Sequence, residues 1–323
     1  MSTEKGKSMK KYKVLVTRFF PGDAIELLND TCEITKCEQI GLLPKERLME
    51  LSADKDILFI SEDTIDREIL DNAPDLKVIA DIWGRGRNVD KESCRKKGIE
   101  VYTSPITLKW INHSETEHAL LLLLAVTRRL LEADAYVRAG KFTEPEQANR
   151  DMLGTGLHGK HLGIIGGTHW SGDEMVKRAV PFGMKVTYWD QERSREMEEL
   201  GADWQEFDEL LETSDFIILM ANGCQGYLLD KPQFDKMKKG AFLVNVTRGS
   251  LIHERELVNA LKDGRLAGAG LDKYENEPST DPELVKLKNV VLTPHSDGAL
   301  LEERNRIYLS VVKQVLEWEE RNA

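Results

Sequence analysis

Three short stretches constrain this chain more than anything else in it: AFLVNVTRGS (241–250), LAGAGLDKYENEP (266–278) and NVVLTPHSDG (289–298). Each opens with an apolar run and closes in a Gly, Pro or polar turn, the pattern of an interior strand of a parallel sheet. In open α/β sheets the ligand crevice lies beyond the carboxyl ends of the strands. Arg248, Glu277 and His295 end these stretches, so three neighbouring strands are expected to deliver a guanidinium, a carboxylate and an imidazole to one crevice. Together they suit a carbonyl: Arg248 polarises it, His295 passes a proton, and Glu277 holds and charges the His. A charge developing on a carbonyl oxygen is stabilised far better by fixed cationic donors in a dry crevice than by water, and a His within reach completes the proton transfer. Each residue alone has a plain structural explanation as a surface Arg, a turn carboxylate or a His on a backbone carbonyl.

The rest of the chain repeats the alternation. From Tyr12 to about Ser104, YKVLVT, CEITKC, DILFIS, LKVIADI and IEVYTS read as strands, separated by helical stretches such as PKERLMEL and DREILDNA. Such units predict a small flavodoxin-like domain. Ser114-Glu115-Thr116-Glu117 reads as a capping box opening one helix that runs to Gly140, a C′ residue. A second series, HLGIIG, KVTYWD, FIILM, AFLVNV, LAGAGLDKY and NVVLTP, predicts six strands, as in a full dinucleotide-binding fold. The fold class expected is therefore α/β with two Rossmann-like domains: a discontinuous substrate domain (1–112 and 299–323) and a doubly wound parallel-sheet cofactor domain (113–298). At 323 residues, two domains also suit the size.

Composition removes several classes of function. A net charge of −11 lacks the basic footprint of a nucleic-acid binder. Cys32, Cys37, Cys94 and Cys224 show no CxxC spacing, which argues against a structural metal or a disulfide framework. The apolar run from Ala119 to Val126 is far short of the ~20 residues of a membrane span. The polar, basic leader 1–13 lacks an apolar core, so a cytoplasmic protein with no membrane partner is expected.

HLGIIGGTHWSG sets a Gly-rich turn between a strand and a helix. Gly166 takes the tight-turn position of the dinucleotide fingerprint and Gly172 the helix-packing position, but Gly167, Thr168, His169, Trp170 and Ser171 between them make the turn one residue longer than GxGxxG. Asp190 ends the next strand, where an acid binds the adenosine ribose and repels a 2′-phosphate, so NAD is favoured over NADP; Arg193 nearby is the one feature of opposite sense.

These residues carry a family resemblance. MLGTGLHGKHLGIIG, LVNVTRGSLI, AGAGLDKYENEP and NVVLTPH, with TEHALLLLLAVTRRL and LEADAYVRAGKF, resemble the D-2-hydroxyacid dehydrogenases, in particular the glyoxylate/hydroxypyruvate reductase and phosphoglycerate dehydrogenase branches. The resemblance covers nearly the whole chain. It implies hydride transfer between NAD(H) and a 2-oxo acid or D-2-hydroxy acid, in a homodimer joined through the cofactor domains. It implies that Arg248 binds the substrate carboxylate and carbonyl, that His295 donates the proton, and that Glu277 hydrogen-bonds His295 and favours its charged form. Cofactor contacts are implied for Gly166, Gly167, Thr168, His169, Trp170, Ser171, Asp190, Ala221, Asn222, Val246, Thr247 and Asp272, and substrate contacts for Trp83, Gly84, Arg85 and Arg248.

Five places depart from the family: the lengthened Gly-rich turn; the shortened loop ANGCQGYLL; the segments IWGRGRNVD (82–90) and SPITLKWINHSETEH (104–118), which bring in Trp83, Arg85, Arg87, Lys109 and Trp110; and Ser296-Asp297-Gly298 after the His. Arg85, Arg87 and Lys109 suit a substrate with a second anionic group, or are solvated loop charges. The expected substrate is therefore larger or more anionic than glyoxylate. The alternative is a weakly catalytic or non-catalytic dinucleotide-sensing protein on the same scaffold.

Overall fold

The computed structural model describes residues 11–18, 24–37, 41–83, 86–104, 109–168, 170–221 and 226–322, with the backbone alone at 109–112. Gly84, Arg85, His169, Asn222 and Cys224, and the side chains of Lys109 and Trp110, lie outside the described residues. The chain divides into two compact units, one of residues 1–107 with 299–323 and one of residues 108–298.

The first unit is a parallel sheet of β1 (Tyr12–Val16), β2 (Cys32–Lys36), β3 (Ile57–Ile60), β4 (Val78–Asp81) and β5 (Glu100–Thr103), in the order β2-β1-β3-β4-β5. This is the flavodoxin-like strand order. Successive side chains of a strand point to opposite faces, and both faces are covered. Val14 and Phe59 pack with Ile307, Val311, Val315 and Trp318 of the helix Leu301–Asn322. Leu15, Leu58 and Ile79 pack on the other face with Leu48 and Ile69, which lie on the helices Lys45–Ser52 and Arg67–Asn72.

The second unit is a seven-stranded parallel sheet: β6 (His161–Gly166), β7 (Lys185–Trp189), β8 (Ala202–Trp204), β9 (Phe216–Met220), β10 (Ala241–Asn245), β11 (Leu266–Leu271) and β12 (Val290–Leu292), ordered β12-β11-β10-β9-β6-β7-β8. The count of six strands is thus corrected to seven. The strand missed is β8, a three-residue edge strand paired only with β7, too short for its alternation to register. The strand order reverses between β6 and β9, so the ligand crevice rule places a dinucleotide at their carboxyl ends.

The expected single helix from Ser114 to Gly140 is two helices. The first begins earlier, at Lys109, and ends at Thr127; the second runs Leu130–Arg138. Ser114 is consequently inside the helix and its hydroxyl donates to the Asp297 carbonyl, so no capping box forms. The break is at Arg129, held in the left-handed region at φ 53°. Its fork pays for that conformation by donating to both Glu132 oxygens at 3.1 and 2.6 Å and to the Asp151 carbonyl at 2.7 Å. Gly140, at φ 69°, closes the second helix.

Candidate active site

Arg248, Glu277 and His295 follow β10, β11 and β12, which are adjacent and parallel, so the sheet does bring the three strand ends side by side. Gly249 shows how tightly. A Cβ there would lie 1.9 Å from the backbone carbonyl carbon of Tyr274, so only glycine lets the Arg248 turn press against the loop that carries Glu277. Asn245, fully buried at the end of β10, shapes this turn: its Nδ2 donates to the Arg248 carbonyl at 3.0 Å and its Oδ1 accepts from the Thr247 N–H at 3.1 Å. Arg248 itself is exposed, and among the described residues its guanidinium has no partner.

Glu277 uses both carboxylate oxygens. Oε1 accepts from the Tyr274 N–H at 3.0 Å, and Oε2 accepts from His295 Nδ1 at 2.6 Å. A carboxylate can only accept, so the bond fixes the proton on Nδ1 and turns Nε2 outward as the atom free to exchange a proton. The Glu277 loop is anchored in turn by Glu254, whose Oε2 accepts from the Glu275 N–H at 3.1 Å and whose own N–H donates to Glu275 at 3.0 Å.

His295 sits at φ 53°, a left-handed conformation unusual for a non-glycine residue, which persists only where surroundings impose it. Asp272 imposes it. Fully buried, it accepts from Thr293 Oγ1 at 2.6 Å, the Ser296 N–H at 2.8 Å and the Asp297 N–H at 3.0 Å, while the His295 N–H donates to its carbonyl at 3.1 Å. His118 of the 109–127 helix lies 3.3 Å from the same carboxylate. Burial would push the Asp272 carboxyl up, yet the His118 side chain, the Ser296 N–H, the Thr293 hydroxyl and the Asp297 N–H outweigh it and hold the carboxyl well below the usual carboxylate range. Sequence reasoning gave Asp272 to the cofactor; in the structure its carboxylate holds the His295 turn.

Of the other predicted cofactor residues within the described residues, Gly166, Gly167, Thr168, Trp170, Ser171 and Asp190 follow or end β6 and β7, Ala221 follows β9, and Val246 and Thr247 follow β10. A Cβ on Gly166, at φ 86°, would come within 2.4 Å of Ala221 Cα beyond β9, so the turn at the switch point admits only glycine. The Thr168 N–H donates to Asp190 at 3.0 Å. Arg193 pairs with Glu198 at 2.8 Å and lies over the Trp204 ring. Two of these side chains are directed into the protein. Val246 is buried in the core, leaving only its backbone to offer a cofactor. Ser171, also fully buried, donates its hydroxyl to Glu115 at 2.7 Å, and the Trp170 indole N–H donates to the same oxygen. Neither Glu115, Asn245, Glu254 nor His118 was singled out as a site residue from the sequence. In the first unit, Trp83 lies against the core beneath the Arg304 guanidinium and Arg87 is exposed.

Residues 120–296 match the model of the D-isomer specific 2-hydroxyacid dehydrogenase, NAD binding domain. The chain belongs to the D-isomer specific 2-hydroxyacid dehydrogenases. It is 38% identical over 312 residues to a glyoxylate reductase of Thermococcus litoralis, covering 95% of this chain and 93% of that protein. A glyoxylate reductase of Pyrococcus furiosus is 35% identical, with 95% and 92% covered. The solved structure of a glyoxylate reductase from Paecilomyes thermophila superposes with a TM-score of 0.71 at 28% identity, covering 95% of each chain. This dehydrogenase is accordingly an NAD-dependent enzyme of the α/β class, and nothing in these likenesses favours the dinucleotide-sensing alternative. The close-packed glycines 166, 167 and 172 and the Asp190 carboxylate fit that cofactor. No helix of the described residues is long and apolar enough to cross a membrane.

Proposed function

We propose that this dehydrogenase reduces a 2-oxo acid to its D-2-hydroxy acid, with Arg248 taking the substrate carboxylate and carbonyl, His295 Nε2 donating the proton, and Glu277 orienting the imidazole. The bond from His295 Nδ1 to Glu277 carries this reading, because it leaves one ring nitrogen aimed outward and fixes which one carries the exchangeable proton. Arg248, without a partner among the described residues, is poised to accept a carboxylate in fork geometry. The cofactor, when bound, supplies the hydride.

The substrate we propose is larger than glyoxylate. A depression of about 340 Å3 beside His295, lined mainly by Tyr274, Pro278, Val285, Leu292 and Pro294, gives an apolar side chain room that a two-carbon acid does not need. The relatives named glyoxylate reductases make glyoxylate the comparison to run. A panel of 2-oxo acids followed at the NADH absorbance tests both parts: kcat/KM should rise from glyoxylate to bulkier acids, and a preference for glyoxylate would end the size argument while leaving the reaction intact.

We also propose a homodimer. Leu121, Leu130, Leu131, Val137, Phe142 and Leu153 expose large apolar side chains along the two helices and the segment after them, more than a solvated face of this kind needs. Light scattering on the purified protein should give twice the chain mass.

A further inference from the structure

The helix Lys109–Thr127 carries one carboxylate into the interior. Glu115 is only 3% exposed, and a single oxygen, Oε2, accepts from Ser171 Oγ at 2.7 Å and from the Trp170 indole. Both donors belong to the glycine loop. Ser171 flanks the helix Gly172–Ala179 at its amino end, yet its hydroxyl caps none of that helix's N–H groups because it is turned to Glu115. The preceding residue, Ser114, donates to the Asp297 carbonyl, and Asp297 in turn pairs with Lys273 and donates its N–H to Asp272. Two adjacent residues of one helix thus hold both the loop and the His295 turn. Three of the five departures from the family have residues here: Trp170 and Ser171 of the lengthened turn, Ser114 and Glu115 of the segment 104–118, and Asp297.

Burial pushes the Glu115 carboxyl up to about 7, against the Ser171 and Trp170 donors; the Asp297 charge adds to the rise and Lys273 opposes it. The other charged groups of the elements packed on it are already engaged. On the Gly172–Ala179 helix, Glu174 pairs with Lys177 and Arg178, and Asp173 with Lys177. On its own helix His113 faces Glu174, His118 faces Asp272, and Glu117 is exposed. Among the described residues nothing takes Glu115 Oε1, so a proton can settle there without breaking either bond to Oε2. A dinucleotide brings two phosphate charges to this loop, beside helix N–H groups that Ser171 leaves uncapped. Negative charge next to a buried carboxylate favours its neutral form.

We propose that Glu115 is a positioning residue for the dinucleotide loop and takes up a proton when the dinucleotide's pyrophosphate binds, which makes cofactor binding proton-linked through this one side chain. The inference rests on the reading that the turn around Gly166, Gly167 and Gly172 holds the dinucleotide.

The test is titration calorimetry of the full chain with NADH at about pH 6 and pH 8, in two buffers of unlike ionisation enthalpy. NADH has no group that titrates in that window. The wild type should take up a fraction of a proton near neutrality, and Kd should weaken about fivefold from the lower to the higher pH, for a rise of roughly one pKa unit on binding. Glu115→Gln keeps an acceptor for both donors and should bind with no Glu115-linked uptake and a flat pH dependence. Ser171→Ala, which removes one donor to the charged form, should move the uptake to higher pH, and it serves if the Gln variant fails to fold. NADH binding by the wild type without proton uptake, or unchanged uptake in Glu115→Gln, overturns the proposal while the loop reading stands. Absence of NADH binding by well-folded wild type overturns the loop reading itself, and the proposal with it.

Discussion

Lys273 and Asp297 form an ion pair that is nearly closed to solvent, with side chains 5% and 14% exposed, and the Lys ammonium also lies 3.4 Å from Asp272. Asp297 stands in the turn after His295, where the family resemblance gives more apolar residues. A lone carboxylate there would be costly, and Lys273 is what makes it tolerable. The pair therefore belongs to the support of the His295 turn.

Removing one partner of such a pair leaves a buried charge, which costs about 3–5 kcal/mol. Lys273→Met should therefore lower the thermal midpoint clearly, whereas Lys273→Met combined with Asp297→Asn should recover part of the loss, as coupled neighbours do. An unaltered melting temperature in the single variant would count against this account of the pair.

His295→Ala should lower kcat by about 100-fold or more, the usual worth of a positioned acid, with NADH affinity within a few-fold of wild type. Glu277→Gln keeps the shape but makes the group facing Nδ1 either donor or acceptor, so a smaller loss in kcat is expected, with KM nearly unchanged. Steady-state kinetics beside a fluorescence titration separates the two effects. If His295→Ala kept more than a tenth of wild-type turnover, another group would have to be the acid.

NADH should bind more tightly than NADPH, because a 2′-phosphate would meet the Asp190 carboxylate while Arg193 remains paired with Glu198. Asp190→Ala should narrow the gap mainly by improving NADPH. Equal affinities in the wild type would sink the argument.

What the sequence disclosed and what it hid have physical causes. Arg248, Glu277 and His295 were legible because each lies in the turn or loop that follows a strand, and a parallel strand declares itself by a local apolar run. Gly249 was visible as a turn residue, but its reason, the Tyr274 backbone 1.9 Å from a would-be Cβ, belongs to packing between strands. β8 was missed because three residues on an edge carry no period. The break at Arg129 hid inside a pattern of good helix formers, since nothing in the order Thr-Arg-Arg-Leu announces a fork closing on Glu132 and the Asp151 carbonyl. Glu115 was read as one letter of a capping box because its partners, Trp170 and Ser171, are 55 and 56 residues away, and only the fold brings them to it.

The same carboxylate should leave a mark on stability without any cofactor. Glu115 has an ordinary value of 4.5 and is raised to about 7 in the folded chain. Between those values the folded state holds a proton that the unfolded state has released, so this group's contribution to stability falls as pH rises from about 4.5 to about 7 and is level beyond. Asp272 acts in the opposite sense: held below its ordinary value of 3.8, it contributes stability above that pH and loses it on acidification. Urea unfolding of wild type and Glu115→Gln at about pH 5 and pH 8 isolates the first effect, because Asp272 is ionised in both states over that range. The variant should gain on the wild type as pH rises, by at most about 3 kcal/mol for a shift of this size. A stability difference between the two proteins that stays constant with pH would show that Glu115 does not titrate in the folded chain, and would remove the physical basis for a proton-linked dinucleotide loop.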